Sequence, residues 1–208
     1  MTRASSIVTA LGLSLICLGG SAVHGAAADF SDPDWPCIQR KVDRLSIGVM
    51  WPGLLEPVAM PATADPGARR LAAQLALRRV DDTQASALIS AYLDQVKSPT
   101  PEIGAQVFSD IFRRVSQQRS RIMRGISRYA RKQTALSEKI EQIRSAMRDL
   151  ESARDPDFDR IDALEADLDW NERIYRDRAQ ALIYVCESPV LLEKHVFAMS
   201  RALQAGLK

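Results

Sequence analysis

Between Ile122 and Leu150 the sequence reads IMRGISRYARKQTALSEKIEQIRSAMRDL, and apolar residues recur through it in steps of four and three. This spacing places one apolar stripe along a helix and is typical of a coiled coil. No proline lies between Pro101 and Pro156, which predicts one helix of about 50 residues and roughly 75 Å. The stripe consists of Ile122, Ile126, Tyr129, Gln133, Leu136, Ile140, Ile143, Met147 and Leu150, and only Gln133 is polar.

A second long apolar stripe, in residues 156–187, predicts the partner of this helix. Folding the chain back at Arg154-Asp155 pairs residues whose numbers add to about 311, so that Gln133 faces Arg178. Two polar interruptions then share one layer, as a contact that fixes the register requires. We expect an antiparallel coiled-coil hairpin over 119–187. Pairing within one chain or across two, as a homodimer through the coiled coil, is left open.

Helix starts are marked where an oxygen-bearing residue precedes proline, because the side chain caps the helix and proline suits its first position. With Asp81 or Asp82 as a further start, we expect five helices, at about 66–79, 83–97, from 101, 156–187 and 189–205. The four pairs are Asp65-Pro66, Thr100-Pro101, Asp155-Pro156 and Ser188-Pro189, the last of which is expected to break the rod. Segments 66–118 and 189–205 should form a small bundle.

Six of the ten prolines lie in residues 29–66, so this part cannot form a long helix. Apolar residues between them predict an extended strap, 29–65, over a helical body, with a short strand at 47–51 as an option. Cys37 and Cys186 are expected to form a disulfide worth at most about 5 kcal/mol in the chain-entropy model; two free thiols are the alternative. The predicted fold class is all-α: a small helical bundle (within 66–208), a projecting hairpin and the strap.

The first 28 residues contain one base, Arg3, no acid, an apolar run from Ile7 to Leu18, and small residues up to Ala28. This order is typical of a secretory signal peptide, 1–28. An uncleaved anchor is the alternative, but a span takes about 20 predominantly apolar residues. The expected location is periplasmic or secreted, with no transmembrane span after cleavage, in a compartment where disulfides persist.

Composition and motifs exclude many classes of function. The 208 residues are 46% hydrophobic and 26% charged with a net charge of +2, which indicates neither a disordered chain nor a polyelectrolyte. HExxH, Cys/His clusters, P-loop, dinucleotide and GxSxG motifs are missing, so we predict no catalytic residue, metal or cofactor, and a protein that is not an enzyme. His195 is interpreted as an ordinary helix residue. The acids of 157–172 are interpreted as a solvated flank; a glycan hydrolase using two of them is an alternative.

One charge pattern is the candidate binding site. Residues 111–137 contain eight bases and no acid. Four of the bases, Arg121, Arg124, Arg128 and Arg131, are spaced so that they line one helix face. We interpret this Arg ridge as a docking face for an acidic protein surface or an anionic envelope lipid. Nucleic acid is not expected, because no aromatic residues alternate with the bases. The alternative is an exposed face, or pairing with Asp81, Asp82 or Asp94.

The opening of the strap, Trp35-Pro36-Cys37-Ile38-Gln39-Arg40-Lys41-Val42, resembles that of uncharacterised exported α-helical proteins of proteobacteria. The resemblance implies a periplasmic location and transfers no activity. Our leading hypothesis is a non-enzymatic periplasmic interaction protein, or adaptor, that docks a partner through its hairpin and Arg ridge. The second hypothesis is a periplasmic holdase chaperone.

Overall fold

The computed structural model describes residues 32–61, 64–96 and 99–207, and over these ranges the chain is all-helical, which confirms the predicted fold class. Its elements are α1 (Ile47–Met50), α2 (Pro66–Leu75), α3 (Asp82–Leu93), α4 (Pro101–Glu151) and α5 (Phe158–Gly206). The predicted signal peptide, 1–28, lies outside the described residues. Within them, no helix is both long enough and apolar enough to cross a bilayer.

Capping chemistry sets most helix starts. Asp65 and Thr100 accept hydrogen bonds from the backbone N–H groups three residues on, at 3.2 and 3.4 Å, and a proline follows each. Asp81 caps α3 in the same way, at 2.8 Å. The start predicted at Asp155-Pro156 is displaced by two residues, because Asp157 is the cap of α5.

The predicted break at Ser188-Pro189 is wrong, since α5 continues through Pro189 to Gly206. Proline inside a helix costs about 3 kcal/mol, because it removes one hydrogen bond and its ring crowds the preceding turn. The residues beyond it offset this cost by burial in the bundle. They are Leu192, Val196, Met199 and Leu203.

The bundle core lies where α2, α3, the first part of α4 and the last part of α5 meet. Phe108 and Ile111 of α4 are fully buried there. His195 of α5 donates from Nε2 to the carbonyl oxygen of Leu75 at the end of α2, at 2.7 Å. The single histidine of the described residues therefore joins two helices of the bundle.

Helices α4 and α5 run antiparallel and pack together along their length. Arg119 and Glu193 form an ion pair near the bundle, and Arg144 and Glu172 form another near the turn at 152–157. The residue numbers of these two pairs add to 312 and 316, close to the predicted sum of about 311. We call the paired helices the hairpin.

The polar layer inside the hairpin differs from the prediction. Gln133 donates from Nε2 to the carbonyl oxygen of Tyr175 at 3.1 Å, and no hydrogen bond joins it to Arg178 among the described residues. Its Oε1 is buried without a partner. Within the hairpin, the buried polar residue that α5 contributes is Asn171, which accepts a hydrogen bond from Lys139 at 3.2 Å.

The strap contains no strand within its described part, 32–61, so the option of a strand at 47–51 is wrong. Ile47–Met50 is a single helical turn instead, with Ile47 and Met50 buried in the bundle core. Trp51 stacks on Phe108, with ring centroids 5.0 Å apart. Apolar residues three apart suit one helical turn, because both then lie on the same side.

Candidate functional site

The Arg ridge lies on the middle part of α4. All four arginines, Arg121, Arg124, Arg128 and Arg131, are exposed, whereas Ile126 on the seam side is fully buried. Steps of three, four and three keep the ridge on one helix face. The predicted face therefore exists as one exposed basic surface.

The strap turns this surface into a groove. Two adjoining cavities of about 560 Å³ each lie along α4, and Arg124 lines both. We call them together the basic groove. The first is lined by Lys41, Asp43 and Arg44 of the strap and by Ser120, Met123, Arg124, Ser127, Arg128 and Arg131 of α4. The second is lined by Pro57, Phe112, Arg113, Ser116, Gln117, Ser120, Arg121 and Arg124.

Positive charge dominates the lining of the groove, where Asp43 is the only acid. Sequence reasoning missed the two strap bases, Lys41 and Arg44. A signal for them existed, because both follow Cys37 closely, and the predicted disulfide to Cys186 would place them beside the hairpin. The sequence register puts Cys186 at the level of residue 125, next to the Arg ridge.

Three of the eight bases in 111–137 are neutralised by acids of α4 and α5. Arg113 and Arg114 both pair with Asp110, whose side chain is only 4% exposed. Arg119, 3% exposed, pairs with Glu193 at 2.6 Å beneath the groove. The charges of these three arginines are compensated within the chain, so they do not provide free positive charge for a partner.

The other five bases are exposed; one of them is paired with the strap, and four form no ion pair with a described residue. Arg131 pairs with Asp34 of the strap, but Arg121, Arg124 and Arg128 form no ion pair with any described residue. The alternative prediction, that Asp81, Asp82 or Asp94 neutralises the Arg ridge, is wrong. Over the described ranges none of these acids forms an ion pair with the ridge, and Asp81 caps α3 instead. Three adjacent guanidinium groups therefore face solvent unpaired.

A disulfide holds the strap in place. Cys37 and Cys186 are bonded as predicted, with their Cα atoms 5.5 Å apart. Both are buried, and with Ile126 they form a small apolar cluster directly behind the Arg ridge. The bonded cysteine lies four residues before Lys41, so the bond fixes the strap side of the groove.

A second contact orders the same segment. Lys41 donates to Asp32 at 2.6 Å. This hydrogen bond, helped by one from the Asp34 backbone N–H, lowers the pKa of Asp32, and it raises the pKa of Lys41. Lys41 therefore stays charged at the mouth of the groove throughout the physiological pH range.

Among the residues that the structure describes, the remaining titratable groups do not form a metal site. In the ranges that the structure covers, no three His, Cys, Asp or Glu side chains come close enough to hold a metal ion. The acids of 157–172 lie along the exposed flank of α5, apart from Asp167 and Glu172, which pair with Lys139 and Arg144.

Comparison of the chain with protein-family models, with curated proteins and with solved structures finds no match. The functional interpretation therefore depends on the geometry of the basic groove.

Proposed function

We propose that this chain is a non-enzymatic interaction protein, an adaptor of the periplasm or the secreted space, whose basic groove docks an acidic segment of a partner protein. The observation that carries the proposal is the row of three unpaired arginines, Arg121, Arg124 and Arg128, which share a concave surface with Arg44 of the strap. Lys41 also lines this surface, but it pairs with Asp32 and Asp43. Like charges three or four residues apart on a helix each cost a few tenths of a kcal/mol. An anionic partner would relieve that cost.

The shape of the groove favours a protein segment over a lipid surface. A membrane is a plane, and a face that binds it presents its bases outward beside apolar residues. Here Lys41 and Arg44 stand across from the ridge and leave a channel. A narrow acidic element, such as one helix or an extended peptide, fits a channel better than a bilayer does.

The proposed location depends on two sequence features. Residues 1–28 have the order of a signal peptide. The Cys37–Cys186 disulfide supports an oxidising compartment, because cytosolic thiols are kept reduced.

The first prediction concerns reversal of the ridge. R121E/R124E/R128E should weaken binding of a labelled poly-glutamate peptide about tenfold or more at low salt, because each exposed charge pair is worth about 0.2–1 kcal/mol and reversal replaces attraction by repulsion. Fluorescence anisotropy measures the affinity, and circular dichroism should show unchanged helix content.

The matched control is R173E/R176E/R201E. These three arginines are exposed on α5, lie outside the groove and form no ion pair with a described residue. The control makes the same change in net charge and should alter the affinity less than about threefold. Equal losses in both variants would show that only net charge matters and would refute the groove. Retention on phosphatidylglycerol vesicles with no binding of the peptide would replace the protein partner by a lipid.

The holdase hypothesis has one supporting observation. A groove of about 330 Å³ beside the disulfide is lined mostly by apolar side chains, and Ile38 and Ile183 on it are 89% and 63% exposed. If the chain is a holdase, it should suppress aggregation of an unfolded client, and I38D/I183D should abolish that effect. If aggregation proceeds unchanged with the wild-type chain, the holdase hypothesis is wrong.

A further inference from the structure

The far end of the hairpin carries the opposite charge to the groove. Between residues 149 and 169 there are nine acids and two bases. We call this part of the hairpin the acidic tip. Eight of the nine acids form no ion pair with any residue that the structure describes; the ninth, Asp167, pairs with Lys139.

Part of the acidic tip mirrors the Arg ridge. Asp162, Glu165 and Asp169 are exposed on α5 and follow one another in steps of three and four. Arg121, Arg124 and Arg128 have the same steps on α4. Each set therefore lines one helix face over about 10 Å, so one row of acids can meet one row of arginines.

Within one molecule the two rows cannot meet. Because residues adding to about 310 lie side by side in the hairpin, Asp162, Glu165 and Asp169 are level with residues of about 141–148 of α4. Even the nearest of these levels is about 13 residues, or about 20 Å, from Arg128, the nearest arginine of the row. Charges so far apart in solvent are screened, since the Debye length is about 8 Å at physiological ionic strength.

An exposed aromatic residue adds a second complementarity. Phe158, one turn before Asp162 on α5, is 70% exposed. The second cavity of the basic groove has Pro57 and Phe112 in its lining and arginines beside them. An aromatic side chain with acidic neighbours thus matches an apolar recess with basic neighbours. Buried aromatic residues commonly dominate the energy of an interface.

We propose that the partner of the basic groove is a second copy of this chain, which inserts Phe158 and lays the face of Asp162, Glu165 and Asp169 against Arg121, Arg124 and Arg128. The inference rests on the proposed function, because it names the acidic element that the groove binds. The contact is heterologous: each copy offers a groove at one end and a tip at the other. Repetition of such a contact builds rings if the rotation between copies closes, and open chains of molecules if it does not.

A charge-swap experiment on the full, disulfide-bonded chain tests the contact. The groove variant is R121E/R124E/R128E and the tip variant is D162K/E165K/D169K. Sedimentation velocity over a concentration series at low salt should show association of the wild type and at least a tenfold loss of association for each variant alone. An equimolar mixture should associate again, because the basic groove of the tip variant meets the acidic tip of the groove variant, and the other two reversed surfaces also match.

Two further variants test the role of Phe158 and the specificity of the charge reversal. F158A should weaken self-association about tenfold without changing any charge. E138K/D177K/E187K reverses three exposed acids of the hairpin outside the tip that form no ion pair with a described residue, and it should associate like the wild type. A mixture that fails to associate, or single variants that still associate, would overturn the contact.

The outcomes separate this inference from the proposed function. A wild-type chain that stays monomeric at every concentration but binds poly-glutamate in the groove refutes the self-contact and leaves the proposed function standing. Charge-swap rescue with no poly-glutamate binding supports the self-contact and refutes docking of other acidic partners. A monomeric chain that binds no poly-glutamate refutes both.

Discussion

Arg119 shows how bases that look alike in sequence differ in the folded chain. It belongs to the same acid-free stretch as the Arg ridge, but it is 3% exposed and bonded to Glu193. The partner lies 74 residues away, so local spacing could not distinguish Arg119 from its exposed neighbours. The tertiary contact decides that Arg119 supports the groove and that Arg121, Arg124 and Arg128 line it.

A prediction at the scale of one residue follows from this pair. Glu193→Ala should lower the free energy of unfolding by about 1–3 kcal/mol, because it leaves a buried guanidinium without its charge partner. The figure stays below that for a fully buried pair, since the Glu193 side chain is 32% exposed. Urea unfolding measures it. Glu187→Ala, an exposed acid on the same helix, should change stability by less than about 0.5 kcal/mol; equal effects would contradict the role of the pair.

At the scale of the elements, Gln133 is the weak point of the coiled-coil seam. Its Oε1 is buried without a partner, and its amide donates to a carbonyl of α5. Gln133→Leu should raise the free energy of unfolding by about 0.5–1.5 kcal/mol, because it removes an unsatisfied buried oxygen and completes the apolar stripe. Gln142→Leu, on the exposed side of the same helix, is the control and should change little. A destabilised Gln133→Leu chain would show that the amide contact holds the helices together.

The elements also show what a sequence can and cannot predict here. Heptad spacing and caps at Asp65, Asp81 and Thr100 are local signals, and they located the starts of α2, α3 and α4 to within one residue, whereas α2 and α3 end four residues earlier than predicted. The predicted break at Ser188-Pro189 is wrong, because that prediction considered only the local effect of proline. The burial of Leu192 and the residues after it, which holds α5 together beyond Pro189, is a tertiary effect that local rules omit.

At the scale of the whole molecule, the strap makes the groove. The Arg ridge could be predicted from spacing alone, and the predicted disulfide could bring the strap near it. The exact positions of Lys41 and Arg44 could not be predicted, because they depend on the path of an irregular segment. Such a path is set by contacts distant in sequence: the disulfide, the stacking of Trp51 on Phe108, and the hydrogen bond from the Ser200 hydroxyl to the carbonyl oxygen of Met50.

The corresponding prediction removes the bond. C37S/C186S should lower the free energy of unfolding by about 2–5 kcal/mol, since the bond restricts the unfolded chain over a long loop. It should also weaken poly-glutamate binding, because the strap side of the groove is no longer held. Urea unfolding and fluorescence anisotropy measure the two effects, and added reductant should reproduce both in the wild type but change nothing further in the variant. Unchanged affinity would show that the ridge binds without the strap.

The Cys37–Cys186 bond also has a consequence for the order of biosynthesis. The chain emerges from the ribosome amino end first, and 149 residues separate the two cysteines. Cys37 therefore cannot form this bond until most of the polypeptide, including Cys186, has been synthesised. Closure of this ring is thus a late event, and α4 and most of α5 are already synthesised when the strap is finally locked against them.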